Sequence, residues 1–261
     1  MHRSAFSPAG REAKALQPLT AVGIIPARLQ STRLPEKPLQ DLCGAQLIAR
    51  VLEQVRRSGA FRAVLVATDS ARIVEAVRAA GGQAVMTPAE LPSGLDRVAE
   101  AAQSLEDDII VNIQGDEPFV SPAGLDHLVS LFHNPDVVMG TLAAPFPKDE
   151  DLGDPNRVKV VIDRKGRALY FSRSPIPHGA GETAAPLLHV GVYAYRRDTL
   201  LELARQGPCP LERAERLEQL RALWNGIPIQ VAVGEYGSPG IDTPGDLERA
   251  RLLFGEGRET I

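Results

Sequence analysis

From residue 19 onward, short apolar runs alternate with amphipathic stretches, the pattern of a sheet covered by helices on both faces. The first run, 20–25, reads as a strand. Residues 45–57 then set Leu47, Ile48, Val51, Leu52 and Val55 on one helical face, with Gly59 as a natural stop. A second buried strand follows at 61–67, then a helix over 70–80 closed by Gly81 and Gly82, and a third short strand in QAVMT. A helix over 95–104 leads into 108–113, DIIVNI, apolar enough to be a strand buried on both faces. Ser121 and Pro122 open a helix running to 132, since Ser caps and Pro suits the first helical position.

Beyond 132 strand periodicity takes over. Segments near 137–144, 157–163 and 167–173 are strand-like, and the last two are joined as a hairpin through Asp163, Arg164, Lys165 and Gly166. A polar loop at 174–186 precedes the run LLHVGVYAYR, and helices are expected near 198–206 and 211–223. The stretch 140–225 thus reads as an insertion or subdomain within a single domain of 20–255. Strand IPIQVAV and a helix from Thr243 return to the first pattern, leaving 1–19 as a loose tail or over-long start and 256–261 as a C-terminal tail. No internal repeat interrupts this organisation.

Composition narrows the class. A formal charge of −4 argues against a nucleic acid partner, which normally demands a broad basic surface. Two widely separated cysteines, Cys43 and Cys209, are too few for a zinc site or a disulfide framework, so a reducing compartment and a cytoplasmic location are expected. No segment approaches the length of a membrane span, and the first twenty residues lack the apolar core of a signal peptide.

Against that acidic background, Arg28, Arg33 and Lys37 cluster just after the first strand, in IIPARLQSTRLPEKP. Paired guanidinium hydrogen bonds and a movable ammonium suit a polyphosphate, although charge alone is equally that of an exposed basic loop. A second polar strand end carries Gln114, Gly115, Asp116 and Glu117. Ligands of open α/β sheets gather outside the carboxyl ends of strands, so the cationic and acidic ends are candidates for one site. Asp116 could hold Mg²⁺, which takes one or two carboxylates and fills its remaining positions with water and phosphate oxygens. Asp242, in GIDTPGDLE, is the second candidate, though helix capping by itself accounts for Asp242 and Thr243 before Pro244.

Eight motifs in order, PARLQSTRLPEKP, ATD at 67–69, SGLDR at 93–97, NIQGDEP at 112–118, ALYFSRSPIP at 168–177, HVGVYAYR at 189–196, LEQLRALWNG at 217–226 and GIDTPGDLE at 240–248, resemble the 3-deoxy-manno-octulosonate (Kdo) cytidylyltransferases, or CMP-Kdo synthetases. The likeness spans about 20–253. It implies an α/β, Rossmann-like nucleotide-diphospho-sugar transferase fold: a mixed, mostly parallel sheet flanked by helices, with a strand-rich dimerisation insertion. It further implies a cytoplasmic, Mg²⁺-dependent homodimer that joins Kdo to CTP and releases pyrophosphate for lipopolysaccharide core assembly. On that resemblance Arg28, Lys37, Asp116 and Asp242 are the catalytic set, with Asp116 and Asp242 as metal ligands. Pro26, Ala27, Arg28, Arg33, Lys37, Ser93, Gly94, Arg97 and Gln114 bind the nucleotide, and Gln114, Arg173, His189, Tyr193, Glu218 and Gln219 bind the sugar.

By residue type alone, Tyr193 could equally be strand packing, Glu218 and Gln219 a solvated helix face, and His189 a structural histidine. The loop LPSGLDR departs from the family, which usually has a histidine near Leu91 and a threonine at Leu95. If that hydroxyl contacts the nucleotide, its absence removes one hydrogen bond, about 0.5–1.5 kcal/mol. Three other readings stand: a cytidylyltransferase for sialic acid or 8-amino-Kdo, a glycosyltransferase using a nucleotide sugar, and a non-catalytic nucleotide-binding module.

Overall fold

A computed structural model describes residues 19–31, 33–180, 185–236 and 239–255. Residues 1–18 of the tail expected over 1–19, the C-terminal tail at 256–261, and 181–184 of the polar loop lie outside the described residues. In chain order the elements are β1 (Ala21–Ala27), β2 (Asp41–Leu42), β3 (Ala45–Gln46), α1 (Leu47–Val55), β4 (Ala63–Thr68), α2 (Ala71–Ala79), β5 (Gln83–Met86), α3 (Gly94–Ala102), β6 (Ile109–Asn112) and α4 (Pro122–Ser130). There follow β7 (Met139–Pro145), β8 (Lys159–Ile162), β9 (Ala168–Ser172), β10 (Leu187–Arg196), α5 (Arg197–Arg205), α6 (Pro210–Glu215), α7 (Leu220–Trp224), β11 (Ile229–Val233) and α8 (Pro244–Gly255).

The main sheet has the order β11-β7-β10-β6-β1-β4-β5. β1 lies parallel between β4 and β6, so Ala27, Thr68 and Asn112 finish at the same edge. β10 runs antiparallel between β6 and β7, and the hairpin β8–β9 pairs onto its outer part. Because Tyr193 lies opposite Asn112, the earlier residues of β10 run past the carboxyl end of β6. That overhang carries His189 toward the edge where β1 and β6 open into loops. Residues 140–225 therefore contribute both β7 and β10 to the main sheet, while β8–β9 forms an annex.

Helices cover both faces. Ile25, Val66 and Val111 pack with α1, α2 and α4 on one side; Ile24, Ala67 and Ile110 pack with α3, α5 and α7 on the other. Burial on both faces explains why these strands are apolar at successive positions rather than alternate ones. The helical stretch expected over 211–223 is broken: α6 ends at Glu215, capped by Arg216, whose φ of 55° is left-handed, and α7 begins only at Leu220. The interruption turns the chain so that Glu218 reaches the sheet edge.

Candidate active site

Residues following β1 form a loop pinned at several points. Leu34 is buried, its N–H donates to Ser31 Oγ at 3.4 Å, and Pro38 is buried inside a short 3₁₀ turn. Glu36, left-handed with φ 49°, is held by paired hydrogen bonds from Arg72. The next side chain, Lys37, turns inward. Its Nζ lies 2.5 Å from Asp116 Oδ2 and 3.0 Å from Asp242 Oδ1, and Arg33 reaches Asp242 Oδ1 at 3.0 Å. Burial would pull the Lys37 ammonium down, but Asp116 and Asp242 outweigh it and hold its pKa above the ordinary value. Arg28 is exposed at the cleft and has no ion-pair partner among the described residues.

The two carboxylates arrive from separate loops that the backbone ties together. A Cβ at Gly115 would come within 3.0 Å of the Pro26 carbonyl oxygen, so the missing side chain lets the β6 loop close onto β1. The Ile241 N–H donates to the Asp116 carbonyl at 2.9 Å, fixing the second loop beside the first. The start of α8 is capped by Thr243 and Asp246: the Asp246 carboxylate accepts from both the Thr243 N–H and its hydroxyl, and the Asp246 N–H returns to Thr243 Oγ1. Capping thus needs only the backbone N–H of Asp242, and its carboxylate faces Lys37 and Arg33 instead. Two carboxylate oxygens converging on one nitrogen form a hard donor pair of the kind that fits Mg²⁺.

All of the expected nucleotide residues, Pro26, Ala27, Arg28, Arg33, Lys37, Ser93, Gly94, Arg97 and Gln114, line one cleft of about 360 Å³ together with Asp116, Glu218 and Asp242. Within it, the Arg97 guanidinium is buried and engaged, donating to Thr87 and to Asp69 Oδ2 at 3.0 Å, so it also anchors the turn after β4. Gln114 donates to Asn112 Oδ1 at 3.3 Å. The side chain of Leu95 points away from the cleft into the core, 1% exposed, while its N–H donates to Glu218 Oε2 at 3.1 Å. The departure at Leu95 is therefore a packing change, and the hydroxyl contact anticipated there has no place in this geometry. Leu91 does line the cleft.

On the sugar side the candidates are set deeper. Arg173 spreads its guanidinium over three carbonyls, those of Glu215 at 2.7 Å, Pro155 at 2.8 Å and Arg216 at 3.3 Å. His189 borders a broader neighbouring cleft of about 670 Å³ that shares Arg33 and Asp242 with the first. Its Nε2 lies 3.0 Å from Thr141 Oγ1, its ring packs against Phe171 and Tyr193, and burial pulls its pKa down to about 3. Burial likewise pushes the Tyr193 phenol well above its usual value and raises the Glu218 carboxyl. Gln219 is 2% exposed and its Nε2 has no hydrogen-bond partner among the described residues. Arg173, His189, Tyr193 and Gln219 lie outside the lining of the first cleft.

Sequence reasoning missed the supports of this side. Lys159 is fully buried and donates to the carbonyls of Asp154 and Arg173 at 3.1 and 2.6 Å. Glu215 accepts from the Ser172 hydroxyl and the Arg173 N–H. A lysine inside the apolar run VKVVI was the available signal for the first; a lone glutamate on a short helix gave none for the second.

Comparison with known proteins gives this geometry its relatives. Residues 22–229 match the family model described as cytidylyltransferase. The 3-deoxy-manno-octulosonate cytidylyltransferase of Acidovorax sp. (strain JS42) is 47% identical over 89% of this chain and 96% of its own length. The chain belongs to the 3-deoxy-manno-octulosonate cytidylyltransferase family. That of Solibacter usitatus is also 47% identical, over 91% of this chain and 95% of its own length. Among solved structures, a CMP:2-keto-3-deoxy-manno-octonic acid synthetase complexed with CTP superposes with a TM-score of 0.86 at 41% identity, covering 91% of this chain and 99% of that one. A 4-diphosphocytidyl-2C-methyl-D-erythritol synthase from Anaerococcus prevotii, 14% identical with a TM-score of 0.61, shares the fold over 91% of this chain and 99% of its own. The α/β nucleotide-diphospho-sugar transferase fold of the cytidylyltransferases is thus the fold of this chain.

Proposed function

We propose that this cytidylyltransferase joins Kdo to CTP, giving CMP-Kdo and pyrophosphate for lipopolysaccharide biosynthesis. The observation that carries the reading is the convergence of Lys37, Arg33, Asp116 and Asp242 at the mouth of the Pro26–Gly94 cleft. The anomeric hydroxyl of the sugar attacks the α-phosphorus of CTP; the new P–O bond forms as the bond to the β-phosphate oxygen breaks, the hydroxyl proton passes to solvent water, and pyrophosphate leaves. Arg28, Arg33 and Lys37 neutralise the triphosphate, Arg33 and Lys37 exchanging carboxylate partners for phosphate oxygens, and hold it in line with the incoming hydroxyl. Asp116 and Asp242 would hold Mg²⁺, which when bound supplies charge neutralisation on the phosphates and acidifies the attacking hydroxyl. Pro26, Ala27, Ser93 and Gly94 offer small surfaces and backbone groups to the base, with Arg97 and Gln114 fixing the walls.

Arg173, His189, Tyr193, Glu218, Gln219 and Gln114 form the sugar side. The Gln219 amide nitrogen, without a partner among the described residues, suits a hydroxyl acceptor, and Arg173 suits the sugar carboxylate. We read the protein as a cytoplasmic homodimer; among the described residues no helix is long and apolar enough to cross a membrane. Exposed Leu169 on β9 and Trp224 on α7 support a dimer surface in the 140–225 region. The deciding experiment is a pyrophosphate-release assay with each nucleoside triphosphate against Kdo, 8-amino-Kdo and sialic acid, with magnesium. Release with CTP and Kdo alone is expected; no release with any pair would leave a binding module, and release with sialic acid instead would move the specificity.

A further inference from the structure

Arg221, on α7, is 2% exposed, the largest of the fully buried side chains, and stands outside the lining of the nucleotide cleft. Its guanidinium makes two bonds to Glu212, at 2.9 and 2.6 Å, and one to the Gln206 carbonyl at 3.1 Å. Its Nη1 also lies 3.7 Å from Asp96 Oδ1 in the first turn of α3. Asp96 is locked in turn to Ser93: the Ser93 hydroxyl donates to Asp96 Oδ2 at 2.6 Å, and the Asp96 N–H donates back to Ser93 Oγ at 3.2 Å. Ser93 and Gly94 form a wall of the cleft.

We propose that Arg221 is a positioning residue for the nucleotide, setting the Ser93–Gly94 wall through Asp96. The inference rests on reading the cleft as a CTP site. Asp96, Glu212 and Glu218 surround a single guanidinium; burial raises the Glu218 carboxyl, the Asp96 charge adds to that, and Arg221 opposes it. Arg221 thus faces Asp96 Oδ1 while Asp96 Oδ2 accepts from the Ser93 hydroxyl and Glu218 holds the Leu95 N–H. An apolar side chain of similar volume could pack α6 on α7 equally well. The guanidinium takes Glu212 through Nε and Nη2 and leaves Nη1 facing Asp96, a division that a single lysine ammonium cannot reproduce.

The test compares wild type, Arg221→Lys and Asp96→Asn by CTP titration calorimetry without sugar, by steady-state kinetics and by thermal melting. The Asp96→Asn exchange keeps an oxygen for the Ser93 hydroxyl but loses the charge that Arg221 faces. Both variants should weaken CTP binding and raise its KM about tenfold, the usual size of an indirect positioning effect. Both should leave kcat at saturating CTP and the KM for the sugar within about twofold, and the double variant should be no weaker than either single one. Wild-type CTP affinity in both variants, with only a lowered melting temperature, would overturn the proposal and leave Arg221 a purely structural group. If Arg221→Lys does not fold, Asp96→Asn decides alone. Failure of wild type to release pyrophosphate would overturn the proposed reaction instead, while the calorimetric comparison would still judge Arg221.

Discussion

The proposed phosphate side and the proposed sugar side of this site are built on opposite plans. On the phosphate side the charges pair with one another across a solvent-facing gap: Lys37, Asp116, Asp242 and Arg33 are side chains 17%, 26%, 41% and 57% exposed, so each can change partners when a polyanion arrives. On the proposed sugar side most polar groups are committed to the protein, the Gln219 amide nitrogen excepted. Arg173 grips three carbonyls, His189 is held by Thr141 and packed on Phe171 and Tyr193, and Lys159 and Glu215 hold the strand end from behind. Triphosphate charge can be met by mobile counter-charges, whereas a sugar's many neutral hydroxyls are told apart only by donors and acceptors already fixed in place.

Asp116→Ala breaks the phosphate plan most severely. It leaves Lys37 with Asp242 alone and removes half of the proposed metal pair, so kcat should fall by about a thousandfold or more while the circular dichroism spectrum stays unchanged. Near-wild-type turnover would remove the assignment. Arg173→Met addresses the other plan. The sugar KM should rise about a hundredfold, as expected for loss of a charged hydrogen-bonding partner, with CTP affinity untouched in calorimetry. An equal loss in both substrates would erase the distinction between the two sides.

The same division decides what could be read from the chain. Strand ends with concentrated charge are legible, because RLQSTRLPEK and QGDE stand out against apolar runs and no packing role demands them. The strands β1, β4 and β6 are equally plain, since burial on both faces leaves an unbroken apolar run. Committed polar groups are not legible. Glu218 and Gln219 look like a solvated helix face until Arg216 turns left-handed and breaks the helix, a tertiary choice with no local signal. Leu95 looks like a lost nucleotide contact because residue type says nothing about which way α3 is rotated.

His189 tests how dry the sugar side is. Its pKa near 3 lies below the unfolded value of about 6.5, so below that value the unfolded chain takes up a proton that the folded one refuses. Stability from the neutral ring is complete above pH 6.5 and is lost as pH falls toward 3, at up to about 1.4 kcal/mol per pH unit. Between pH 7.5 and 4.5, denaturant unfolding should show wild type losing about 2–3 kcal/mol more than His189→Gln. Parallel pH profiles would mean that water reaches the ring and that the sugar side is as open as the phosphate side.

Leu95→Thr has the smallest expected effect on catalysis and draws the boundary of the cleft most finely. With its side chain in the core, the substitution exchanges apolar packing for a hydroxyl in the layer between α3 and the sheet. It should cost about 2 kcal/mol in unfolding free energy, while the KM for CTP and the preference for cytosine stay within about twofold of wild type. The backbone N–H that meets Glu218 is unaffected by the exchange, so the nucleotide wall keeps its anchor. A lower KM for CTP in the threonine variant would mean that α3 rotates when nucleotide binds and that this helix belongs to the adaptable side of the cleft.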